Sequence, residues 1–181
     1  MILEDDGIAP EFSRPILVDS LSVAERTYEI EATEDECRVL AERFGILSIQ
    51  SLSATVRLRV LPGGDLVRAR GSFTAAVHQA CVVTLEPVPE AIEESFELLY
   101  GPEPDEESEE IVVDLEVTDP PEPIINNSID IGEAVAEHLA LALDPFPRAP
   151  GAEFVEVTEE EAPEPEEKPN PFAVLAALKK K

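Results

Sequence analysis

Two periodicities alternate along this chain, and each predicts its own kind of element. Phe12 to Val18 reads as a strand, with Pro15 confining it to an edge or a strand start. Tyr28, Ile30 and Ala32 alternate with Glu29 and Glu31, the two-residue period of a half-buried strand. The period then lengthens. Cys37, Leu40, Ala41 and Phe44 recur at i, i+3, i+4 and i+7, one apolar stripe on a helix. Thr33 and Glu36 precede that stripe as a capping box: the hydroxyl accepts from an orphan amide and the carboxylate reaches back to another. Gly45 ends the helix, because glycine takes the left-handed conformation without a Cβ penalty.

The clearest hairpin follows. Leu52, Ala54, Val56, Leu58 and Val60 alternate with Ser53, Thr55, Arg57 and Arg59, and Pro62-Gly63-Gly64-Asp65 turns the chain. The returning strand carries Val67, Ala69, Gly71, Phe73, Ala75 and Val77 in the other phase. Pairing Leu61 with Leu66 brings all these apolar residues to one face. It also sets Arg59 beside Arg68 and Arg57 beside Arg70 on the opposite face, and like charges directly opposite one another destabilise a sheet. Solvent, a neighbouring acidic strand or a partner must offset them. A third strand is expected from Ile92 to Tyr100, with Ile92, Phe96, Leu98 and Tyr100 in phase and Glu93 and Glu97 on the other face. The product is an antiparallel meander with one covered face.

Residues 101–110 are a Pro/Glu/Asp run with little to bury, read as a disordered segment or a mobile acidic loop, and Ile111 to Val117 as a short strand. Asp130 and Glu133 repeat the capping logic before a second helix. Its buried stripe is Ile131, Val135, Leu139 and Ala142, with His138 at the margin and Pro145 as the stop. Residues 151–169 form an acidic, Pro-rich linker expected to be disordered. Residues 170–181 read as a short helix: Asn170 caps it, Pro171 sits in the first turn, Phe172, Leu175 and Leu178 share a side, and lysines close it. Burying those three side chains gains roughly 5–8 kcal/mol, and ordering about nine residues costs as much or more. The segment therefore needs a surface, on its own domain or on a partner, and the reading takes a partner. The fold class is thus α+β: an antiparallel meander with two main helices packed against it, an acidic loop and a flexible acidic tail ending in a short helix. Residues 1–11 are a loose N-terminal tail and residues 12–150 the domain.

Charge sharpens the picture. Forty acidic residues face 13 basic ones, for a net charge of −27. Between Gly45 and Leu85 the only carboxylate is Asp65, while Arg57, Arg59, Arg68 and Arg70 all lie there. A mildly positive centre sits inside an acidic whole, which repels nucleic acid over most of its surface and attracts basic proteins. Aromatics are scarce and Trp is absent, which disfavours a base-stacking binder of single strands. No apolar run approaches the ~20 residues that span a bilayer. The start, MILEDDGIAPEF, lacks the basic and apolar regions of a secretion signal. A cytoplasmic chain with no membrane partner is expected, with Cys37 and Cys81 as two buried thiols.

No catalytic constellation is visible. His78 falls on a strand and His138 on a helix, neither beside a nucleophile or metal partner. Gly63-Gly64 belongs to a turn, and the carboxylates are too numerous for one acid/base pair to stand out. No enzyme activity, cofactor, metal or small-molecule substrate is expected. Three binding features remain: the acidic surface, the arginine ladder and the Phe172, Leu175, Leu178 segment. The ladder is either paired internally with Glu93, Glu97 or the acidic loop, or set against RNA phosphates. Four such contacts give a salt slope of about −3 to −4.

Three segments carry a resemblance. Gln79-Ala80-Cys81-Val82-Val83-Thr84-Leu85-Glu86-Pro87-Val88 resembles the C-x-x-x-L-E-P-V signature of the YceD family, called large ribosomal RNA subunit accumulation proteins. Asn126 to Glu133, continuing through Glu137 to Arg148, is similar to that family's late helix, and the NPFAVLAALK segment to the ending of one branch. The motif residues are Cys81, Leu85, Glu86, Pro87, Asp130, Gly132, Glu133 and Glu137. Many members carry a second cysteine three residues after the first, and more after the late helix. Here Thr84 and Arg148 to Glu153 stand in those places, so a metal site is not carried over.

The resemblance implies a non-enzymatic ribosome-assembly factor supporting 23S rRNA accumulation and large-subunit maturation. Its expected partner is a basic large-subunit ribosomal protein or the pre-50S particle, held by the acidic surface until rRNA displaces it. The alternatives are a direct rRNA binder acting through Arg57, Arg59, Arg68 and Arg70, and an acidic nucleic-acid mimic regulating an RNA-processing enzyme.

Overall fold

The computed structural model describes residues 10–102 and 121–153. Within them the chain runs β1 (Pro15–Leu17), β2 (Arg26–Glu31), α1 (Glu34–Phe44), β3 (Ser48–Val60), β4 (Val67–Ala80), β5 (Pro87–Gly101), β6 (Glu122–Pro123), β7 (Ser128–Asp130) and α2 (Ile131–Ala142). Strands β2 to β6 lie in sequential order in one sheet, and β1 pairs with β7 in a second, two-stranded sheet. The fold is α+β, and the main sheet is antiparallel except where β6 runs parallel to the end of β5.

The local signals produce the elements they predict. The Thr33 hydroxyl accepts from the Glu36 amide at 3.3 Å, and the Glu36 carboxylate accepts from the Thr33 amide at 2.8 Å. Gly45 closes α1 at φ 66°. The β3–β4 hairpin forms in the expected register: the Leu61 amide donates to the Leu66 carbonyl at 2.8 Å, and Arg57 faces Arg70 as Arg59 faces Arg68. Leu52, Val56, Leu58, Val67, Ala69, Phe73 and Val77 are buried together under Cys37 and Leu40 of α1 and Val135 and Leu139 of α2. Both helices therefore cover the same face of the sheet, and among the described residues no helix covers the face bearing the arginines.

Three elements depart from the expectation, each for a physical reason. Strand β3 starts at Ser48, because the register steps from Ile49↔Val77 to Ser51↔Ala76 and leaves Gln50 as a bulge. A bulge inserts one residue, so Ile49 and Leu52, three apart, reach the same face and the two-residue period is lost there. Strand β5 starts at Pro87, five residues earlier than expected. Its prolines are tolerated because β6 pairs only with Tyr100 and Gly101, leaving most of β5 as a sheet edge. Strand β1 does not join the main sheet. It pairs with Ser128–Asp130, residues expected only to lead into a helix. Phe12, just before β1, is fully buried in the core.

Helix α2 buries a broader face than its expected stripe, taking in Gly132, Ala134 and Ala136. At its margin the His138 ring stacks on Phe96 with centroids 4.1 Å apart, and its Nδ1–H donates to the Ala134 carbonyl at 2.8 Å. Among the described residues no helix is long and apolar enough to cross a membrane. The strand expected over Ile111–Val117, nearly all of the acidic loop, and the segment bearing Phe172, Leu175 and Leu178 lie outside the described residues.

Candidate functional site

The motif residues gather at two places. Cys81 opens the six-residue turn between β4 and β5. Its sulfur is buried and accepts from three backbone amides: Val83 at 3.4 Å, Thr84 at 3.4 Å and Ala149 at 3.3 Å. The Ala149 amide comes first among the causes that pull the thiol down to about 6, because N–H dipoles aimed at sulfur favour the thiolate. Cys37 shows the opposite case, its thiol pushed up by burial. The Val82 amide adds a bond to the Pro147 carbonyl at 2.9 Å, so the hairpin tip is fastened to the segment after α2. Leu85 takes φ 62°, the left-handed region, and is 76% exposed. That conformation costs a leucine about 1–3 kcal/mol. Glu86 is exposed and bonds only locally, its amide donating to the Thr84 hydroxyl at 3.4 Å. One thiol ringed by amides does not make a ligand set, and no cluster of metal-ligating side chains forms among the described residues.

The second group surrounds the start of α2. One oxygen of Asp130 accepts from the amides of Arg14, Gly132 and Glu133 at 2.7, 3.0 and 3.1 Å, and the other accepts from the Ser13 hydroxyl. It both caps the helix and anchors the N-terminal strand. Gly132 lets the two backbones meet: a Cβ there would stand 2.1 Å from the Phe12 carbonyl oxygen. Glu133, expected to complete a capping box, instead holds Arg43 at 2.6 Å, and Glu11 holds the same guanidinium at 3.0 Å. Arg14 reaches Glu36 at 2.7 Å and lies over the Phe12 ring. This contact leads the causes holding the Glu36 carboxyl down at about 2. Three motif residues on α2 and its cap are thus architectural.

Glu137 is different. Together with Tyr100, Glu122, Leu98 and Ile129 it lines a groove of about 320 Å³, with Asp130 and Glu133 at the same wall. Its carboxyl is pushed up by burial first and then by Glu133 and Glu122. The Tyr100 phenol is pushed up by burial and by Glu137, Glu122 and Asp130. Asp130 and Glu133 have donors. Among the described residues, neither Glu122 nor Glu137 has a basic side chain within ion-pair distance. Residues 103–119, which connect the groove's two edges in sequence, carry nine acidic and no basic side chains. No periodicity in the sequence marks this groove, because its walls come from β1, β5, β6, β7 and α2.

On the open face of the sheet, Glu97 supplies the internal offset expected for the arginines. Its two oxygens meet Arg68 Nε at 3.1 Å and Arg70 Nε at 2.9 Å, and Arg70 leads the causes that lower its carboxyl. Glu93 does not contribute, since it stands opposite Thr74, two rows away. Among the described residues neither Arg57 nor Arg59 has a carboxylate partner, and Arg59 Nε is buried without a hydrogen-bond acceptor.

These features define a class: an α+β domain with two oppositely charged surfaces. The family model described as large ribosomal RNA subunit accumulation protein YceD matches residues 69–179, and the chain belongs to that family. Its name ties the chain to accumulation of large-subunit ribosomal RNA. No curated protein and no solved structure matches the chain.

Proposed function

We propose that this protein supports large-subunit maturation by holding a basic ribosomal protein, with the carboxylate-lined groove beside Glu137 as the seat for its cationic side chains. The supporting observation is a carboxyl raised first by its partial burial and then by two carboxylate neighbours, in a groove with apolar residues in its walls. A lysine or arginine can lay its aliphatic stem on Leu98 and Ile129 and its charge on Glu122 and Glu137. The net charge of −27 steers such a partner in from a distance. Polyanionic rRNA then competes for the same cations, so release requires no nucleotide hydrolysis.

A cation beside Glu137 favours its ionised form, so binding weakens as the pH falls into the carboxyl's raised range. The experiment is retention of purified basic large-subunit proteins by the full chain at low salt. Retention should fall roughly tenfold in the Glu122→Gln/Glu137→Gln variant. A wild-type chain that retains no ribosomal protein and no pre-50S particle at low salt would remove the reading.

A further inference from the structure

The open face of the main sheet is a second charged surface, and nothing in the groove reading requires it. Four guanidiniums stand in two cross-strand rows, Arg57 beside Arg70 and Arg59 beside Arg68. Such like-charge pairs work against the sheet, and Glu97 is the one carboxylate that meets them among the described residues. Arg57 and Arg59 are left over, with a buried Arg59 Nε–H that has no acceptor. The next row inward is Thr55, Ser72 and Ser95, all hydroxyls. A groove of about 420 Å³ runs between these rows. We propose that this face binds the phosphate backbone of structured RNA.

The chemistry favours that ligand over others. Guanidiniums pair bidentately with phosphate oxygens, and hydroxyls can donate to the same oxygens or to a ribose 2′-OH. Side chains two apart on a strand are roughly 6.7 Å apart and neighbouring strands roughly 4.8 Å, so the four charges form a compact grid. No Phe, Tyr or Trp lies on this face among the described residues, so bases are not stacked and contact stops at the backbone. Glu29 closes the hydroxyl row beside Thr55, and Glu31 and Glu93 flank the row beyond it, so carboxylates repel a polyanion from there on and confine it to the arginine end. Two or three phosphates can be neutralised there, giving a salt slope of about −2 to −3.

The distinguishing feature is a conflict between stability and binding. Arg57→Glu places opposite charges across from each other at Arg70, so a purely structural role predicts a thermal midpoint that is unchanged or raised, and no other effect. The experiment is fluorescence anisotropy of a labelled hairpin RNA with the full chain, at low salt and through a salt titration. Arg57→Glu/Arg59→Glu should lower RNA affinity at least tenfold and flatten the slope by about one or two. Arg57→Gln alone should give a smaller loss without lowering the midpoint. Glu122→Gln/Glu137→Gln should leave RNA affinity undiminished, so failure here and failure of the groove reading appear in different variants. The proposal is overturned if the wild-type chain does not bind RNA at low salt, or if the reversed variants bind it equally well. It is also overturned if polyglutamate displaces the RNA at equal charge, which would assign the face to an acidic protein segment.

Discussion

At the scale of single residues, Cys81 and Gly132 do work that their side-chain types do not announce. The Cys81 sulfur organises a turn by accepting three amides, one of them from a residue 68 positions away. Its thiol titrates at about 6, below the ordinary thiol value. The folded form therefore favours the thiolate. That contribution to stability is complete above the unfolded pKa and is lost as the pH falls through 6. The wild-type urea midpoint should rise from pH 6 to pH 9, and Cys81→Ala should remove that part of the rise. Gly132→Ala sets a Cβ against a backbone oxygen that has no side-chain freedom to yield. Urea unfolding should show a loss of about 1–3 kcal/mol. The sequence marks both residues as parts of motifs, but their roles depend on Ala149 and Phe12, which no local pattern connects to them.

At the scale of elements, α1 was written in full by its own residues. Stripe, capping box and terminal glycine all appear where the spacing requires, because each interaction spans four residues or fewer. Thr33→Ala should cost about 1 kcal/mol in urea unfolding. Glu36 joins this cap to Arg14 and is held at about 2. A carboxyl depressed in the fold contributes stability fully above its unfolded value near 4.3 and loses it as the pH falls toward 2. Glu36→Gln should therefore flatten the acid limb of the stability profile between about pH 5 and pH 2. The hairpin was equally legible, down to the two arginine pairs. Strand β7 was not, since three residues with a helix cap at one end carry no period of their own and pair with β1 only in the folded chain. The bulge at Gln50 likewise hid the start of β3 by breaking the alternation it belongs to.

At the scale of the whole molecule, charge decides behaviour in solution. All nine basic residues among the described ones are arginines, and Arg14, Arg38, Arg43, Arg68 and Arg70 sit in ion pairs. The −27 that remains after every basic residue is counted is unneutralised self-repulsion that salt screens within roughly 10 Å at 0.1 M. Raising salt from about 0.01 to 0.15 M should raise the thermal midpoint of the free chain while weakening both proposed complexes. Differential scanning fluorimetry and binding over one salt series would thus move in opposite directions. A complex that tightens with salt would contradict an electrostatic basis for either surface.

The amino-acid order alone settled whatever depends on near neighbours: the two-residue period of the hairpin, the helical stripes, the caps and the charge imbalance. Folding settled what depends on distant ones. Asp130 meets Ser13 and Arg14 across 117 and 116 positions, and Cys81 meets Ala149. Glu122 and Glu137 come to one groove while Glu97 takes only two of four arginines. Periodicity reports which side of an element faces the core. Which elements then share a wall is set by packing, and the uncompensated charges on both surfaces arise from that choice.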